Sequence, residues 1–314
     1  KGLGITNELN FTASGETDAG YTWSYSMELD PGATAGTNTD NESLQSAQND
    51  DTKLTLSTPY GTVGVFISEG GLDVEDAASQ SAYSRPTDMG GSDGVVDNFT
   101  IDAYNNLQYH TPADLIPFGG SLKIAYAPDL DTYGSGNNAG VEQSEGGAAY
   151  VGRSATEMQV SFDALPMADG LKIGASYFTF DKQGATKKDQ EAESGAYYAT
   201  YSVGNVSLGY SQAYKALLVA DAANTGVDFY DQNNQSIAYA INDDLSISYE
   251  VEKSEANYVA SGTAAVEQKS TGYQLAYNMG GMTIAIARNS HDNPSYSSTA
   301  DSIDQTLFAV TMAF

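Results

Sequence analysis

The sequence predicts an all-β fold, specifically a transmembrane antiparallel β-barrel. Three observations predict it. Segments with apolar side chains at every second position recur along the chain, the connections between them alternate between short and long, and the chain ends on such a segment. Successive side chains of a strand point to opposite faces, so each segment has one apolar and one polar face.

The alternating segments number about 15, and they show strand periodicity rather than helical periodicity. In the segment "YTWSYSMELD", Tyr21, Trp23 and Tyr25 share one face, while Ser24 and Ser26 lie on the other. The later segment "LSISYEVE" repeats this pattern. We predict strands at residues 4–14, 21–30, 52–58, 62–68, 105–111, 121–129, 157–164, 171–180, 196–202, 206–214, 234–241, 245–252, 270–278, 282–290 and 304–314.

The connections between these strands alternate in length. The short ones, such as "PYG", "PMADG", "GN" and "MGG", consist of turn-forming residues, whereas the long ones are rich in Asp, Asn, Ser and Gly. Strict alternation places every tight turn at one end of the structure, as in outer-membrane barrels with short periplasmic turns and an even strand count. A short turn follows the first visible strand, so this strand runs from the outside towards the periplasm. A barrel with an even strand count and both chain ends on the periplasmic side then needs one more strand before it. We therefore expect 16 strands, one of them upstream of Lys1.

Composition excludes several classes of protein. No stretch approaches the roughly 20 apolar residues of a membrane-spanning helix. The formal net charge of -28 argues against a nucleic-acid partner, and the lack of cysteine excludes disulfides and thiolate chemistry. Of the two histidines, neither His110 nor His291 has a Ser or an acid at a catalytic spacing, so we expect no enzyme activity.

The apolar face could contact lipid or a second sheet, and three features favour lipid. The polar face carries mainly Ser, Thr, Gly and Ala, where a solvated sheet more often carries Lys and Glu. Charge is concentrated in the long loops; Arg288 is the main exception, and we expect it at the rim. A sheet of about 16 strands rarely stays open, because closure removes its edges. We therefore predict one barrel domain over residues 1–314.

The last segment, "FAVTMAF", resembles the terminal strand of the general diffusion porins of Gram-negative outer membranes. That family ends on Phe with hydrophobic residues at every second position before it. The resemblance implies that Phe308, Val310, Met312 and Phe314 face lipid or a neighbouring subunit and serve as the assembly signal.

The longest connection, residues 69–104, is similar to the loop that this family folds into the barrel as a constriction. Within it, "YSRPTDMGGSD" keeps the proline as Pro86 and the glycines as Gly90 and Gly91, with the acid displaced to Asp88. The family places basic residues on the wall opposite. Here the expected basic counterparts are Lys53, Lys123, Lys172 and Arg85. The expected constriction acids are Asp73, Glu75, Asp76, Asp88, Asp93 and Asp97.

The resemblance implies a homotrimeric porin in the outer membrane of a Gram-negative bacterium, in contact with lipid and lipopolysaccharide. Its water-filled channel would pass ions and small hydrophilic solutes by passive diffusion, and the acidic loop predicts cation selectivity. We expect no cofactor and no metal site; calcium bridging of loop acids stays open, with no residues assigned. Two alternatives also stay open: a substrate-specific porin for sugars or other small nutrients, and a soluble β-sandwich adhesin.

Overall fold

A computed structural model of the chain describes residues 9–30, 48–88, 97–128, 141–143, 149–151, 154–166, 168–181, 190–219 and 226–312. These residues form strands and three short 3-10 helices, at Glu75–Ala78, Ile101–Ala103 and Pro294–Tyr296. The strands are β1 (Leu9–Glu16), β2 (Thr22–Asp30), β3 (Gln48–Thr58), β4 (Gly61–Ile67), β5 (Asn106–His110), β6 (Ser121–Ala127), β7 (Val141–Gln143), β8 (Ala149–Val151), β9 (Ser154–Phe162), β10 (Leu171–Asp181), β11 (Glu193–Val203), β12 (Val206–Ala216), β13 (Val227–Ala240), β14 (Leu245–Tyr258), β15 (Val266–Asn278), β16 (Met282–Asp292) and β17 (Ile303–Met312).

One antiparallel sheet of 15 strands contains every strand except β7 and β8, which form a separate hairpin. Each strand of the sheet pairs with the next one along the chain, and β6 pairs with β9 across the hairpin. Within the described residues the sheet is open between β1 and β17. With an odd number of antiparallel strands, these two edges run in the same direction. The sixteenth strand stays a prediction.

Each of the 15 predicted strands overlaps one strand of the sheet, and the short and long connections alternate as expected. Predicted strand residues 4–8, 129 and 313–314 lie outside the described residues. In the turn between β3 and β4, Gly61 has φ +121°, and a Cβ there would lie 2.5 Å from the carbonyl oxygen of His110. This turn therefore requires glycine. The hairpin of β7 and β8 was not predicted, because no sustained alternation marks its two three-residue strands.

Strands β13, β14 and β15 extend further than predicted, because sheet hydrogen bonding continues beyond the apolar alternation. We expected charged residues to be almost absent from the outward-facing strand positions, and this was wrong for this part of the sheet. Residues expected in loops are strand residues that share the outward parity of Tyr249 and Ile237. They are Asp231, Lys253, Glu255, Glu267 and Lys269. Arg288 also lies on this face, four residues before the end of β16, and pairs with Asp304; its place at the rim stays a prediction.

The two faces of the sheet differ in burial. Outward side chains such as Leu208, Ile237, Tyr249, Leu275 and Ile286 are exposed, and in the described part of the chain they pack against no second sheet. Inward side chains are smaller or polar, and many are buried by the long connection between β4 and β5. Among the described residues, no helix has the length and apolar character needed to cross a membrane.

Candidate functional site: a loop along the inner wall

The connection between β4 and β5, residues 68–105, runs along the inner wall of the sheet; we call it the inner loop. Residues 89–96 of this loop lie outside the described residues. From residue 72 to residue 86 its contacts progress from β9 to β16. The sequence of contacts is Leu72 with Glu157 on β9, Val74 with Ser176 on β10, Glu75 with Ser211 on β12, Ala78 with Ser236 on β13, Ser79 with Glu250 on β14, Tyr83 with Gln274 on β15 and Pro86 with Asn289 on β16.

Three wall carboxylates that the sequence analysis did not single out hold the inner loop. Glu157 accepts hydrogen bonds from the backbone amides of Leu72, at 3.1 Å, and Ile101, at 2.9 Å. On β14, the carboxylate of Glu250 accepts a hydrogen bond from the Ser79 hydroxyl at 2.7 Å. The third wall carboxylate is that of Glu252 on β14. The carboxylates of Glu157, Glu250 and Glu252 are all buried. Their inward direction was readable from strand parity, but their role was not, and the predicted strands began at Glu157 and ended at Glu252.

Glycines on the wall allow the loop backbone to approach closely. At Gly209 on β12, a Cβ would overlap the carbonyl oxygen of Ala78 in the loop. At Gly272 on β15, a Cβ would lie 2.7 Å from Cγ of Pro86. The missing side chains therefore leave the space that the inner loop occupies.

The returning part of the inner loop docks through apolar packing. Phe99 contacts Phe178 and Phe180 of β10, with ring centroids 5.8 and 5.0 Å apart. Ile101 and Leu72 join the same buried cluster, and small wall residues, Ala125, Ala127 and Ala155, make room for it. Lys215 covers the Phe99 ring at 4.1 Å from its centroid. The lumen therefore contains a small hydrophobic core on this side.

Arg85 occupies the centre of a charged cluster between the inner loop and the wall. Its Nε lies 3.3 Å from Oε1 of Glu252, and its terminal nitrogens approach Asp76, Asp88 at 3.3 Å and Asp97 at 3.6 Å. The Arg85 side chain is 8% exposed, whereas those of Asp76, Asp88 and Asp97 are 55%, 52% and 72% exposed. Burial alone would lower the pKa of the guanidinium, but Glu252, Asp88 and Asp97 raise it.

The position of Arg85 corrects one prediction. Arg85 was predicted on the basic wall facing the loop, but it belongs to the loop and binds an acid of the wall. Parity places only strand residues on a wall; it gives no position for a loop side chain. The contact therefore has the opposite polarity to the expected one, with the cation on the loop and the carboxylate on the wall.

Two further predicted acids, Asp73 and Glu75, lie in the loop: Asp73 contacts the wall, whereas the Glu75 carboxylate accepts the backbone amide of Asn98 in the loop itself, at 3.1 Å. Asp73 accepts hydrogen bonds from Ser176, at 2.9 Å, and from Asn98, at 3.2 Å. Burial raises the pKa of Asp73. Burial and the nearby charge of Asp73 raise the pKa of Glu75 well above its usual value. The sixth predicted acid, Asp93, lies outside the described residues.

The predicted basic residues of the wall are separated. Lys53 on β3 pairs with Glu69 at the start of the inner loop. Lys123 on β6 is the register partner of His110 on β5, on the inner face. Lys172 is exposed at the turn end of β10. The structure therefore does not bring the three lysines together as one basic cluster.

The terminal strand and the two histidines complete the predicted positions. Phe308, Val310 and Met312 are exposed on the outer face of β17, while Phe314 lies outside the described residues. His291 Nδ1 lies 2.8 Å from Oγ of Ser270, a contact that their sequence spacing did not indicate. Both residues are almost fully buried.

In the described ranges, no three His, Asp or Glu side chains are grouped to hold a metal ion. No protein-family model and no curated protein matches the sequence. Solved structures do match. A porin refined at 1.8 Å resolution has a TM-score of 0.63 at 15% identity, covering 98% of this chain and 92% of that one.

Two further solved structures are similar. OmpF of Salmonella typhi in complex with daunomycin has a TM-score of 0.63 at 13% identity, covering 97% of this chain and 89% of that one. The outer membrane channel DcaP of Acinetobacter baumannii has a TM-score of 0.62 at 12% identity, covering 97% and 84%. The chain therefore has the porin fold.

Proposed function

We propose that this chain is an outer-membrane porin of a Gram-negative bacterium, whose lumen passes ions and small hydrophilic solutes by passive diffusion. The porin fold supports this, together with an apolar outer face and an inner face of small polar residues. Closed barrels suit a membrane because every backbone polar group is paired without water. The proposal includes no catalytic step and no cofactor.

The observation that carries the proposal is the acidic surface of the inner loop. Asp76, Asp88 and Asp97 surround one buried arginine, whose charge is also neutralised by Glu252. One cation against four carboxylates leaves a local excess of negative charge, and the three exposed acids are the ones in contact with solvent. Such a surface concentrates cations and repels anions, so the channel prefers cations.

The burial of the inward-facing aromatic rings favours a diffusion channel over a sugar-specific channel. A specific channel needs aromatic side chains available along the solute path. The inward rings of Phe66 and Phe178 are buried, and Tyr198 is partly buried where it packs beside Val74 of the loop. The two phenylalanine rings are not available as stacking surfaces, and the Tyr198 ring is available only in part. The single sheet with an exposed apolar face also argues against a β-sandwich adhesin.

Reversal-potential measurements across a planar bilayer under a KCl gradient test the proposal. We expect stepwise channel insertion and a potential of the sign that cation preference produces. Liposome swelling with neutral sugars of graded size should show a size cutoff and no saturation. Absence of conductance from refolded protein would refute the channel, and an anion-selective sign would refute the role of the acids.

The oligomer and the lipid partners are part of the same proposal. We propose a homotrimer in contact with lipopolysaccharide, with the interface near the strands at the two ends of the sheet. The exposed apolar side chains of β1 and β17, including Phe11 and Phe308, suit burial against lipid or a neighbouring subunit. Analytical ultracentrifugation in detergent, with the detergent density-matched, should give the trimer mass.

A further inference from the structure

A pocket of about 350 Å³ opens on the outer face of β10 to β13, away from the lumen. Its centre is the cross-strand row Tyr177–Gly195–Tyr214–Asp231, in which each residue is the register partner of the next. Gly195 has no side chain, and the Tyr214 ring leans over it: a Cβ at Gly195 would lie 3.0 Å from Cε1 of Tyr214. Tyr197 and Gln212 of the adjacent row form its other side. We call this feature the tyrosine pocket.

Hydrogen bonds hold the rings of the tyrosine pocket in place. The hydroxyls of Tyr177 and Tyr214 both donate to the carboxylate of Glu193, with 3.1 Å between Oη of Tyr214 and Oε1. The Tyr197 hydroxyl donates to Oε1 of Gln212 at 2.6 Å. Because the hydroxyls are tethered at the edge, the ring faces are left to line the pocket.

The tyrosine pocket lies where the outer face changes from apolar to polar. On the turn side, the next outward rows contain Ile173 and Leu208. On the loop side and along the sheet, the outward positions carry Glu193, Asp231 and Asn233. A membrane protein of this fold has aromatic residues at such a boundary, where one part of a ligand is solvated and another contacts hydrocarbon.

We propose that the tyrosine pocket binds the uncharged sugar ring of a membrane glycolipid whose alkyl chain runs down the apolar rows. The C–H faces of a pyranose ring are apolar and suit the tyrosine rings. Its edge hydroxyls can donate to Asp231 and Gln212. The carboxylates of Glu193 and Asp231 disfavour a phosphate headgroup, and the volume falls within the usual range of ligand pockets, about 300–1,000 Å³. The placement of this face in a membrane rests on the proposed function.

Titration with n-decyl-β-D-glucoside, followed by native mass spectrometry of the refolded protein in a zwitterionic detergent, tests the proposal. We expect a saturable glucoside adduct and much weaker binding of n-decyl phosphate, which has the same chain. Gly195→Leu displaces the Tyr214 ring that leans over this glycine, and we expect it to weaken glucoside binding at least tenfold. Ala13→Leu, at an exposed outward position on β1 far from the pocket and from the rows of Ile173 and Leu208, is the matched control and should bind as the wild type does.

Tyr197→Ala gives a second test without added bulk, in case Gly195→Leu does not fold, and it should also weaken glucoside binding. Equal affinity for decyl phosphate, or unchanged binding in Tyr197→Ala, would overturn the proposal. Dissociation of the oligomer by Tyr197→Ala would also overturn the proposal, because the tyrosine pocket would then be occupied by a second copy of the chain. Bilayer conductance of the same variants should equal the wild-type value; a wild type without conductance would refute the porin while leaving saccharide binding intact.

Discussion

Nε of Arg85 in the inner loop lies 3.3 Å from Oε1 of Glu252 on β14, and both side chains are buried. Thr87, two residues further along the loop, donates its backbone amide and its hydroxyl to the other oxygen of the same carboxylate, at 3.1 and 2.8 Å. One wall carboxylate therefore fixes the loop on both sides of Pro86. This contact joins the inner loop, which leaves the sheet at β4, to the distant strand β14.

Arg85→Gln should loosen the inner loop. Removing one partner of a buried ion pair leaves an uncompensated charge, which costs about 3–5 kcal/mol. We expect greater open-channel noise in single-channel recordings and faster proteolysis within the loop. Glu252→Gln added to Arg85→Gln should restore part of the loss, because no buried charge then lacks a partner. Lys172→Gln, at the exposed turn end of β10, is the control. Equal open-channel noise in Arg85→Gln and Lys172→Gln would contradict the role of Arg85.

The triple variant Asp76→Asn, Asp88→Asn, Asp97→Asn should reduce cation preference. Each exposed charge contributes about 1 kcal/mol at 4 Å in water. A change of that size alters a population ratio about fivefold. Because the triple variant removes three such charges, we expect the potassium-to-chloride permeability ratio to fall by at least that factor in reversal-potential measurements.

The effect of the triple variant should shrink in 1 M KCl, where the screening length is about 3 Å. Asp243→Asn, in the exposed turn after β13, is the matched control and should leave the ratio unchanged. A triple variant as selective as the wild type would show that these acids do not set the preference.

Phe178→Ala should weaken docking of the returning loop. The ring is 1% exposed and packs on Phe99 and Phe180. Buried Phe→Ala changes cost about 3–5 kcal/mol, so we expect a lower midpoint of thermal unfolding and less protection of amides near Ile101 in hydrogen exchange. Leu107→Ala, exposed on the outer face, is the comparison. A similar loss in both variants would argue against the core inside the lumen.

Stability should depend on pH through Glu75. Its pKa is raised in the folded state, so the folded protein binds more protons than the unfolded chain between the ordinary pKa and the raised one. Stability therefore falls as pH rises through this window and is highest below the ordinary value. Urea unfolding from pH 4 to pH 8 should give a steeper decline for the wild type than for Glu75→Gln. Equal slopes would mean that Glu75 does not carry this dependence.

Gly209→Ala should displace the loop, because the added Cβ would overlap the carbonyl oxygen of Ala78. We expect altered single-channel conductance with a folded barrel, since Gly209 faces the lumen and not the strand pairing. At Gly262, a Cβ would meet no atom within 4 Å, so Gly262→Ala is a control at an open position. Identical conductance in all three proteins would show that the loop does not need this gap.

The sequence by itself determined the strand number of the sheet, the side to which each strand residue points and the end at which the turns lie. These features are local, because parity repeats every two residues and turn chemistry acts within a few. Strand ends were less well determined: the ladders of β13 to β15 continue after the apolar pattern stops, which brought Lys253 and Glu267 onto the outer face.

Only the tertiary structure decided how the inner loop lies. Its partners are far away along the chain, as for Leu72 with Glu157 and Thr87 with Glu252. Which wall residue meets which loop residue depends on the register of many strand pairs and on gaps such as Gly209. For that reason the acids of the loop were readable as a group, while Arg85 and Glu252 became partners only once the sheet had brought them together.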